Sequence, residues 1–243
     1  MDVKVERGAK RVRAVLAGET VVDTISPLLV WEKPYYPTYY FDLDDLRSHD
    51  LTETGETKRS PRLGTATFFH LQAGDKEGVA YRYLDSPVPE LREAVAIRWD
   101  TMDHWFEEDE EVHVHPRDPY KRVDILNSSR HVQVSLDGVT LADSNKPTLL
   151  FETSLPTRYY LPPTDVRMEL LTPTDRHTSC PYKGVASYWT VEVDGKQYVD
   201  YVWSYPYPVV EAGKISGLFC FYNEKVDLMI DGVREERPRS PFS

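Results

Sequence analysis

The chain has 243 residues, of which 40% are hydrophobic and 28% charged, a composition typical of a globular protein and too apolar for a disordered one. The formal net charge of -11 argues against a nucleic-acid backbone or an anionic membrane surface as partner, because both attract basic proteins. Residues 1–15 lack the apolar core of a signal peptide, no apolar run approaches the ~20 residues of a membrane helix, and two cysteines do not make a disulfide framework. We therefore expect a reduced, cytoplasmic protein.

Short runs of alternating apolar and polar residues occupy the first part of the chain. β-Branched and aromatic residues recur at every second position, which is the pattern of half-buried strands. The runs are RVRAVL, TVVD, LLVWE, TYYF, TATFFHL and VAYRYL, between Arg11 and Leu84. A short helix is predicted over Pro89–Ala94, because a proline is well placed at the first helical position.

The segment Asp100–Asp124 finds no sequence match elsewhere in the chain. His113 and His115 would share a face of a strand and, with His104 or an acidic neighbour, could hold a metal. A polar strand face is the simpler interpretation, and no Cys/His pattern elsewhere has zinc spacing, so we predict neither a metal nor a cofactor. The run HPRDPYKR contains two prolines, which prevent a regular element. We expect this run to pack across both halves of the chain, with Arg117, Asp118 and Arg122 in polar contacts.

The chain repeats itself with an offset of 120 residues. Residues 10–41 lie over residues 130–161 without a gap, and identical residues meet at Gly18 and Gly138 and at Glu32 and Glu152. The register continues through Pro61, Gly64 and Ala66 to Val79 and Tyr81, which meet Val199 and Tyr201. A match of this length indicates a duplicated domain. Because the register is lost after Leu84, we place the two domains at residues 1–127 and 128–243.

The second copy has the same strand pattern. Its runs are VQVSL, TLAD, TLLFE, RYYL, ASYWTVEV, QYVDYVW, LFCFY and VDLMI. Asp137-Gly138 and Asp194-Gly195 are hairpin turn pairs, a short helix is predicted over Val209–Ile215, and the polar segment Glu235–Ser243 is expected to be loosely attached. The predicted fold is therefore mainly β, with two tandem duplicated antiparallel β domains that each carry a short helix.

A candidate reactive site lies in the segment HTSCPYKG of the second copy. His177, Cys180 and Lys183 fall within seven residues, and a nearby cation would favour the nucleophilic thiolate. The first copy shares the Pro and the Gly of this segment but has Thr57, Ser60 and Leu63 in place of the three reactive residues. The asymmetry favours a functional site in the second copy. The alternative is that Cys180 is a small core residue and Lys183 a solvated charge.

Aromatic residues follow the candidate site. Tyr182, Tyr188 and Trp189 precede the run Trp203-Ser-Tyr205-Pro-Tyr-Pro, and such residues can line a pocket for a flat or cationic ligand. They can equally pack a core, because alternate residues of a strand face inward.

The motifs of the second copy resemble the family labelled domain of unknown function 427. They are CPYKGVASYW from Cys180, WSYPYP from Trp203, the helix around Glu211–Ile215, and FYNEKVDLMIDG from Phe221, while HPRDPYKRVD and LPTRYYLP resemble the two-domain bacterial members. The resemblance implies a β-tent-like fold, in which two antiparallel sheets meet at an angle, and a function that is unassigned. Members of the broader fold often carry zinc, but paired Cys motifs are absent here.

Three functions remain open from the sequence. The first is a small-molecule pocket at the CPYKG motif, with Tyr182, Lys183, Trp189, Trp203, Tyr205 and Arg158 as binding residues. The second is an enzyme, of transferase or hydrolase type, in which Cys180 is the nucleophile with His177 and Lys183 beside it. The third is a protein-interaction module. The identity of the ligand and the oligomeric state cannot be predicted from the sequence.

Overall fold

A computed structural model describes residues 3–47 and 51–242. The described residues divide into two compact units, residues 1–119 and 120–243, which contain most of their contacts internally. No helix among them is long and apolar enough to cross a membrane.

The first unit contains eleven strands among its described residues. They are β1 (Val5–Arg7), β2 (Val12–Leu16), β3 (Glu19–Thr24), β4 (Leu28–Val30), β5 (Thr38–Asp42), β6 (Leu51–Ser60), β7 (Gly64–Ala73), β8 (Lys76–Arg82), β9 (Ala94–Ile97), β10 (His104–Glu107) and β11 (Glu110–Glu111). Short 3-10 turns lie at Leu43–Asp45, Pro89–Leu91 and Trp99–Thr101. The predicted helix at residue 89 is therefore a single 3-10 turn that begins with its proline.

The described part of the second unit also has eleven strands. They are β12 (Val123–Asn127), β13 (Val132–Leu136), β14 (Val139–Ser144), β15 (Thr148–Glu152), β16 (Arg158–Leu161), β17 (Leu171–Cys180), β18 (Gly184–Val193), β19 (Lys196–Ser204), β20 (Phe219–Phe221), β21 (Asp227–Ile230) and β22 (Val233–Arg234). Short 3-10 segments lie at Pro163–Asp165, Met168–Leu170 and Val210–Ile215.

Each unit is built from a seven-stranded and a four-stranded antiparallel sheet. The seven-stranded orders are β1-β4-β5-β9-β8-β7-β6 and β12-β15-β16-β20-β19-β18-β17, and the four-stranded orders are β11-β10-β2-β3 and β14-β13-β21-β22. When each strand is replaced by its counterpart in the other copy, the two seven-stranded sheets have the same strand order. The two four-stranded sheets also have the same order, read from opposite edges. The predicted duplication and the mainly β fold are therefore confirmed.

The four-stranded sheet covers one face of the seven-stranded sheet in each unit. In the second unit, Val134, Leu141 and Leu228 of the smaller sheet pack against Val191 and Phe221 of the larger one, and we call this the inner core. The other face of the larger sheet carries a second cluster, the outer core, which is rich in aromatic residues and is closed by the 3-10 segment Val210–Ile215. Tyr160, Tyr188, Trp203, Tyr205 and Cys220 belong to it.

Asp-Gly pairs form the predicted tight turns. Asp137 and Gly138 have φ values of 48° and 82°, and Asp194 and Gly195 have 49° and 73°. Two successive residues with positive φ are the signature of a type I′ hairpin turn, whose twist suits antiparallel strands. Asp231 and Gly232 make a third such pair between β21 and β22.

The two copies differ in register along β19, which the sequence match did not reveal. Leu71 pairs with Gly78 and Val191 with Tyr198, in agreement with the offset of 120 residues. Further along, Phe68 pairs with Tyr81 whereas Tyr188 pairs with Trp203, so the offset has become 122 residues. A bulge in β19 absorbs the two extra residues, and Asp200 within it has a φ of 57°. The predicted matches of Val79 with Val199 and of Tyr81 with Tyr201 are therefore wrong.

The boundary between the copies also differs from the expected position. The sequence placed residues 123–127 in the first domain, because they follow the point at which the repeat register is lost. In the structure these residues form β12, which pairs with β15 over five residue pairs from Val123 and Glu152 to Asn127 and Thr148. The compact units accordingly meet at residues 119 and 120.

Candidate functional site

The CPYKG motif forms the tight turn between β17 and β18. The N–H of Lys183 donates to the carbonyl of Cys180 at 3.3 Å, and Pro181 has the fixed φ that suits the second position of such a turn. Gly184 follows with a φ of 97°, a backbone conformation that residues other than glycine rarely adopt. Because the turn doubles the chain back, it brings Cys180 and Lys183 together.

Lys183 is a buried ammonium held by a buried carboxylate. Its Nζ donates to Glu152 Oε2, and the two side chains are 11% and 8% exposed. Glu152 is the last residue of β15, so the pair joins the turn to a strand four places away in the sheet order. Burial alone would lower the pKa of Lys183, but interactions with Cys180 and Glu152 outweigh it and raise that pKa above its ordinary value.

Cys180 lies half-buried beside this ion pair. Its interaction with Lys183 is one of the causes that raise the pKa of that lysine. Tyr205, which is 5% exposed, is its neighbour in the outer core, and burial together with the nearby Cys180, Tyr188 and Glu152 raises the pKa of Tyr205 well above its usual value. The arrangement therefore places a half-buried thiol, an ammonium, a carboxylate and a phenol at one end of the sheet.

The tyrosine hydroxyls extend this polar group along the outer face. Tyr188 OH lies 2.8 Å from Thr178 Oγ1 and also interacts with Tyr222, while the guanidinium of Arg176 lies 4.6 Å from the centre of the Tyr188 ring. Arg176 is anchored by Asp200, the residue at the β19 bulge, at 3.2 Å. The bulge thus positions a cation over the outer face.

His177 lies on the opposite face of β17 from Cys180. The ladder is regular between His177, which pairs with Ser187, and Cys180, which pairs with Gly184. Residues three apart on a strand point to opposite faces. The ring of His177 is exposed, and its Nδ1 lies 3.4 Å from Ser187 Oγ. His177 and Cys180 are close in sequence but lie on opposite faces of the strand. His177 is therefore not placed to act as a base for Cys180.

Trp189 is likewise on the wrong face for the predicted binding set. It packs in the inner core, where its ring lies 4.8 Å from that of Phe219. Trp203 and Tyr205 are in the outer core, and Tyr182 is half-buried in the turn itself. Of the predicted aromatic residues, Tyr182 thus lies in the turn, Trp203 and Tyr205 lie on the outer face, and Trp189 lies on the inner face.

Arg158 makes a second buried ion pair. Its guanidinium donates to both carboxylate oxygens of Glu224 at 2.8 Å and to Asn223 Oδ1 at 3.3 Å. The side chains of Arg158 and Glu224 are 7% and 0% exposed. The ring of Trp203 lies 5.4 Å from the guanidinium and donates its Nε1 hydrogen to Tyr160 OH at 3.1 Å. Arg158 therefore belongs to a cluster of its own, next to Trp203.

The linker residues make contacts within their own units. Arg117 N–H donates to Glu107 Oε1 at 2.9 Å, and Trp31 Nε1 donates to Asp118 at 3.2 Å, all in the first unit. Arg122 binds Asp124 at 2.8 Å in the second unit. Packing of these residues across both domains stays a prediction.

His104 and His113 lie near the same carboxylate of the first unit. His104 Nδ1 lies 2.7 Å from Glu111 Oε1, and His113 Nδ1 lies 3.9 Å from the same oxygen. His113 is not in a strand, because β11 ends at Glu111. Among residues 3–47 and 51–242, no group of three or more His, Cys, Asp or Glu side chains could hold a metal ion.

Glu152 and Glu224 are the site residues that sequence reasoning missed. In the sequence, Glu152 stands out only as a residue identical to Glu32 of the first copy. A charged residue that is identical in both copies at the end of an apolar strand was a usable signal, because a buried carboxylate requires a partner. Glu224 lies in the family motif FYNEKVDLMIDG, but nothing local in the sequence connects it with Arg158, 66 residues earlier.

A comparison with family models matches the chain twice, over residues 4–108 and over residues 124–232, to the family described as Domain of unknown function (DUF427). The chain belongs to this family. The two DUF427 matches correspond to the two units of the fold, and the second begins within β12. A search of curated proteins finds no match.

Proposed function

We propose that this DUF427 protein binds a small molecule at the CPYKG turn of its second domain, beside Cys180. The observation that carries the proposal is the group formed by Cys180, Lys183 and Glu152 on a scaffold that both copies share. Tyr182 and Tyr205 are the aromatic residues beside it. A ligand there meets a half-buried thiol with a fixed positive charge behind it.

The first copy supports this assignment by contrast. Ser60 and Leu63 occupy the positions of Cys180 and Lys183, and Leu63 is 3% exposed. The corresponding carboxylate, Glu32, accepts hydrogen bonds from Tyr40 and Tyr81 at 2.8 and 2.9 Å. The first copy therefore forms the same fold without an ammonium or a thiol at these positions. The fold by itself thus does not explain the presence of Cys180 and Lys183.

Disulfide trapping tests the binding site directly. The protein is equilibrated with a library of small disulfide-linked fragments under partly reducing conditions, and the captured fragments are identified by mass spectrometry. We expect Cys180 to select a few fragments strongly, because a binding site adds affinity to the exchange reaction. The matched control is Cys180→Ser/Ser60→Cys, which moves the thiol to the same turn of the first copy and should capture fragments without selection. Equal, unselective capture at both positions would contradict the proposal.

A second candidate is an enzyme in which Cys180 is the nucleophile. The interaction between Cys180 and the Lys183 ammonium favours it, because a neighbouring cation stabilises a thiolate. His177 is not a partner in this version, since it lies on the other face of β17. The test is the rate of alkylation by iodoacetamide at neutral pH in the wild type and in Lys183→Met. Loss of the cation should slow the reaction. An unchanged rate would leave Cys180 without activation by Lys183.

A further inference from the structure

The C-terminal segment, residues 237–242, reaches the buried pair of Arg158 and Glu224. The segment has no strand or helix. Ser240 Oγ donates a hydrogen bond to Glu224 Oε1, and the centre of the Phe242 ring lies 5.6 Å from the guanidinium carbon of Arg158. The Phe242 ring also lies 6.1 Å from that of Tyr222. Two side chains of the segment thus contact both members of one ion pair.

Three aromatic rings surround the guanidinium of Arg158. Trp203 and Tyr222 belong to the folded sheet and its following turn, at 5.4 and 5.9 Å, and Phe242 belongs to the C-terminal segment. A ring over a guanidinium is attracted to it through the ring quadrupole, and the attraction is stronger where water is excluded. We call Arg158, Trp203, Tyr222 and Glu224 the arginine cage. The segment supplies the third ring of the cage and a hydroxyl group to its carboxylate.

The fold does not require the arginine cage. Tyr160 pairs with Cys220 in the second domain and Tyr40 with Ala96 in the first, so Arg158 and Glu224 correspond to Thr38 and Asp100. Asp100 instead pairs with Arg98 at the surface. The first domain reaches the same strand order with Thr38 and Asp100 in place of the buried arginine pair.

Most residues of the segment are exposed. Pro238 and Ser240 are half-buried, whereas Arg237, Arg239 and Pro241 are exposed, and Phe242 itself is 44% exposed. A cleft of about 140 Å³ lies beside it, lined by Pro156, Tyr159, Asn223, Val226, Glu235 and Pro238. Segments with little burial and exposed backbone open at low free energy. Release of the segment would uncover one face of Arg158 and an oxygen of Glu224.

The charge of the segment suits the chain on which it lies. Arg237 and Arg239 are basic, the chain carries a net charge of -11, and Arg237 binds Asp227 at 3.0 Å. Another basic peptide would be attracted to the same surface.

We propose that the arginine cage is a peptide-binding site and that residues 237–242 occupy it in cis. The peptide class is basic, with a hydroxyl residue two positions before an aromatic residue, as in Ser240-Pro-Phe242. The hydroxyl binds Glu224 and the aromatic ring stacks on Arg158. The site is separate from the turn at Cys180, so that either proposal can fail without the other.

The experiment supplies the segment in trans to the full-length chain. The probe is the peptide acetyl-RPRSPF-amide, titrated by calorimetry into the wild type and into Ser240→Ala/Phe242→Ala. We expect saturable binding to the double variant and at least tenfold weaker apparent binding to the wild type, because the tethered segment competes at an effective concentration in the millimolar range. Circular dichroism of the variant verifies that substitutions of these partly exposed residues leave the fold intact.

Two peptides separate the cage from general attraction of positive charge. Acetyl-RPRAPF-amide lacks the hydroxyl and acetyl-RPRSPA-amide lacks the ring, and each should bind the double variant at least tenfold more weakly than the probe. Equal affinity of all three peptides would assign binding to charge alone and overturn the proposal. Equal affinity of the probe for the wild type and the variant, or no binding to the variant up to about 10 mM, would also overturn it.

Discussion

Glu32 and Glu152 occupy the same place in the two copies, yet they have different partners. Glu32 accepts hydrogen bonds from Tyr40 and Tyr81, whereas Glu152 accepts one from Lys183. The difference follows from two positions, because Leu63 stands where the second copy has Lys183 and Tyr81 stands where it has Trp203. A buried carboxylate is tolerated in either setting because each provides hydrogen-bond donors.

Removal of the ammonium should destabilise the second domain. In Lys183→Leu, Glu152 remains buried without its charge partner, and we expect the free energy of unfolding to fall by about 3 kcal/mol. The double variant Glu152→Gln/Lys183→Leu removes both charges and should recover most of the loss. The measurement is chemical denaturation followed by circular dichroism. A loss below about 1 kcal/mol in the single variant would mean that the pair is solvated.

The two thiols should differ in reactivity. Cys220 is fully buried in the outer core, and burial raises its pKa to about 12. Cys180 is half-buried and adjoins Lys183. We therefore expect mass spectrometry to detect one iodoacetamide adduct per folded chain at pH 8, on Cys180, and a second only in denaturant. The variant Cys180→Ser should give none while folded. Modification of Cys220 in the folded protein would contradict its burial.

At the scale of elements, two local irregularities determine where the site residues lie. The turn between β17 and β18 returns Lys183 towards Glu152, and the bulge in β19 moves Trp203 to the position that Tyr81 has in the first copy. Without the two extra residues, Tyr201 would pair with Tyr188. The bulge also places Asp200 where it binds both Thr174 and Arg176.

The turn depends on the glycine at its end. In Gly184→Ala, the alanine would have to adopt a φ of 97°, which is strained for an L residue. Its methyl group would also lie 3.3 Å from Tyr207 O and from Val209 N. We expect a loss of about 1–3 kcal/mol in the free energy of unfolding, measured by denaturation. Gly213→Ala is the matched control in the same domain, since its added carbon meets nothing within 4 Å. Similar stabilities of the two variants would show that the turn relaxes without strain.

At the scale of the whole molecule, the chain consists of two copies of one topology. The second copy contains the two buried ion pairs described above. The pairs of Lys183 with Glu152 and of Arg158 with Glu224 involve the seven-stranded sheet of that copy and the turns that follow its strands. At the corresponding positions of the first copy stand Leu63 with Glu32 and Thr38 with Asp100. Duplication thus kept the scaffold while the charged groups diverged.

The boundary between the copies can be tested with fragments. Residues 120–243 include β12. Ile125 of this strand is 8% exposed, and its carbonyl oxygen accepts a hydrogen bond from Lys214 Nζ at 3.0 Å. We expect this fragment to fold alone and to unfold cooperatively. The fragment 128–243 lacks the edge strand and should melt at least 10 °C lower, because it loses a paired strand and a core side chain. Equal melting temperatures would place β12 outside the cooperative unit.

The sequence by itself determined the features that depend on near neighbours. Alternation of apolar residues predicted the strands, Asp-Gly pairs predicted hairpin turns, and the offset of 120 residues predicted two domains of one topology. The proximity of Cys180 and Lys183 was also predictable, because both belong to one turn.

Only the tertiary structure decided the faces and the distant partners. The opposite faces of His177 and Cys180 follow from their separation of three once the ladder between β17 and β18 is known to be regular there. The bulge in β19 decided that Trp203, and not Tyr201, lies opposite Tyr188. The pairing of Lys183 with Glu152 and of Arg158 with Glu224 joins residues 31 and 66 positions apart. Neighbouring strands of a sheet come from distant parts of the chain, and a local pattern therefore states that a side chain is buried but not which group it meets there.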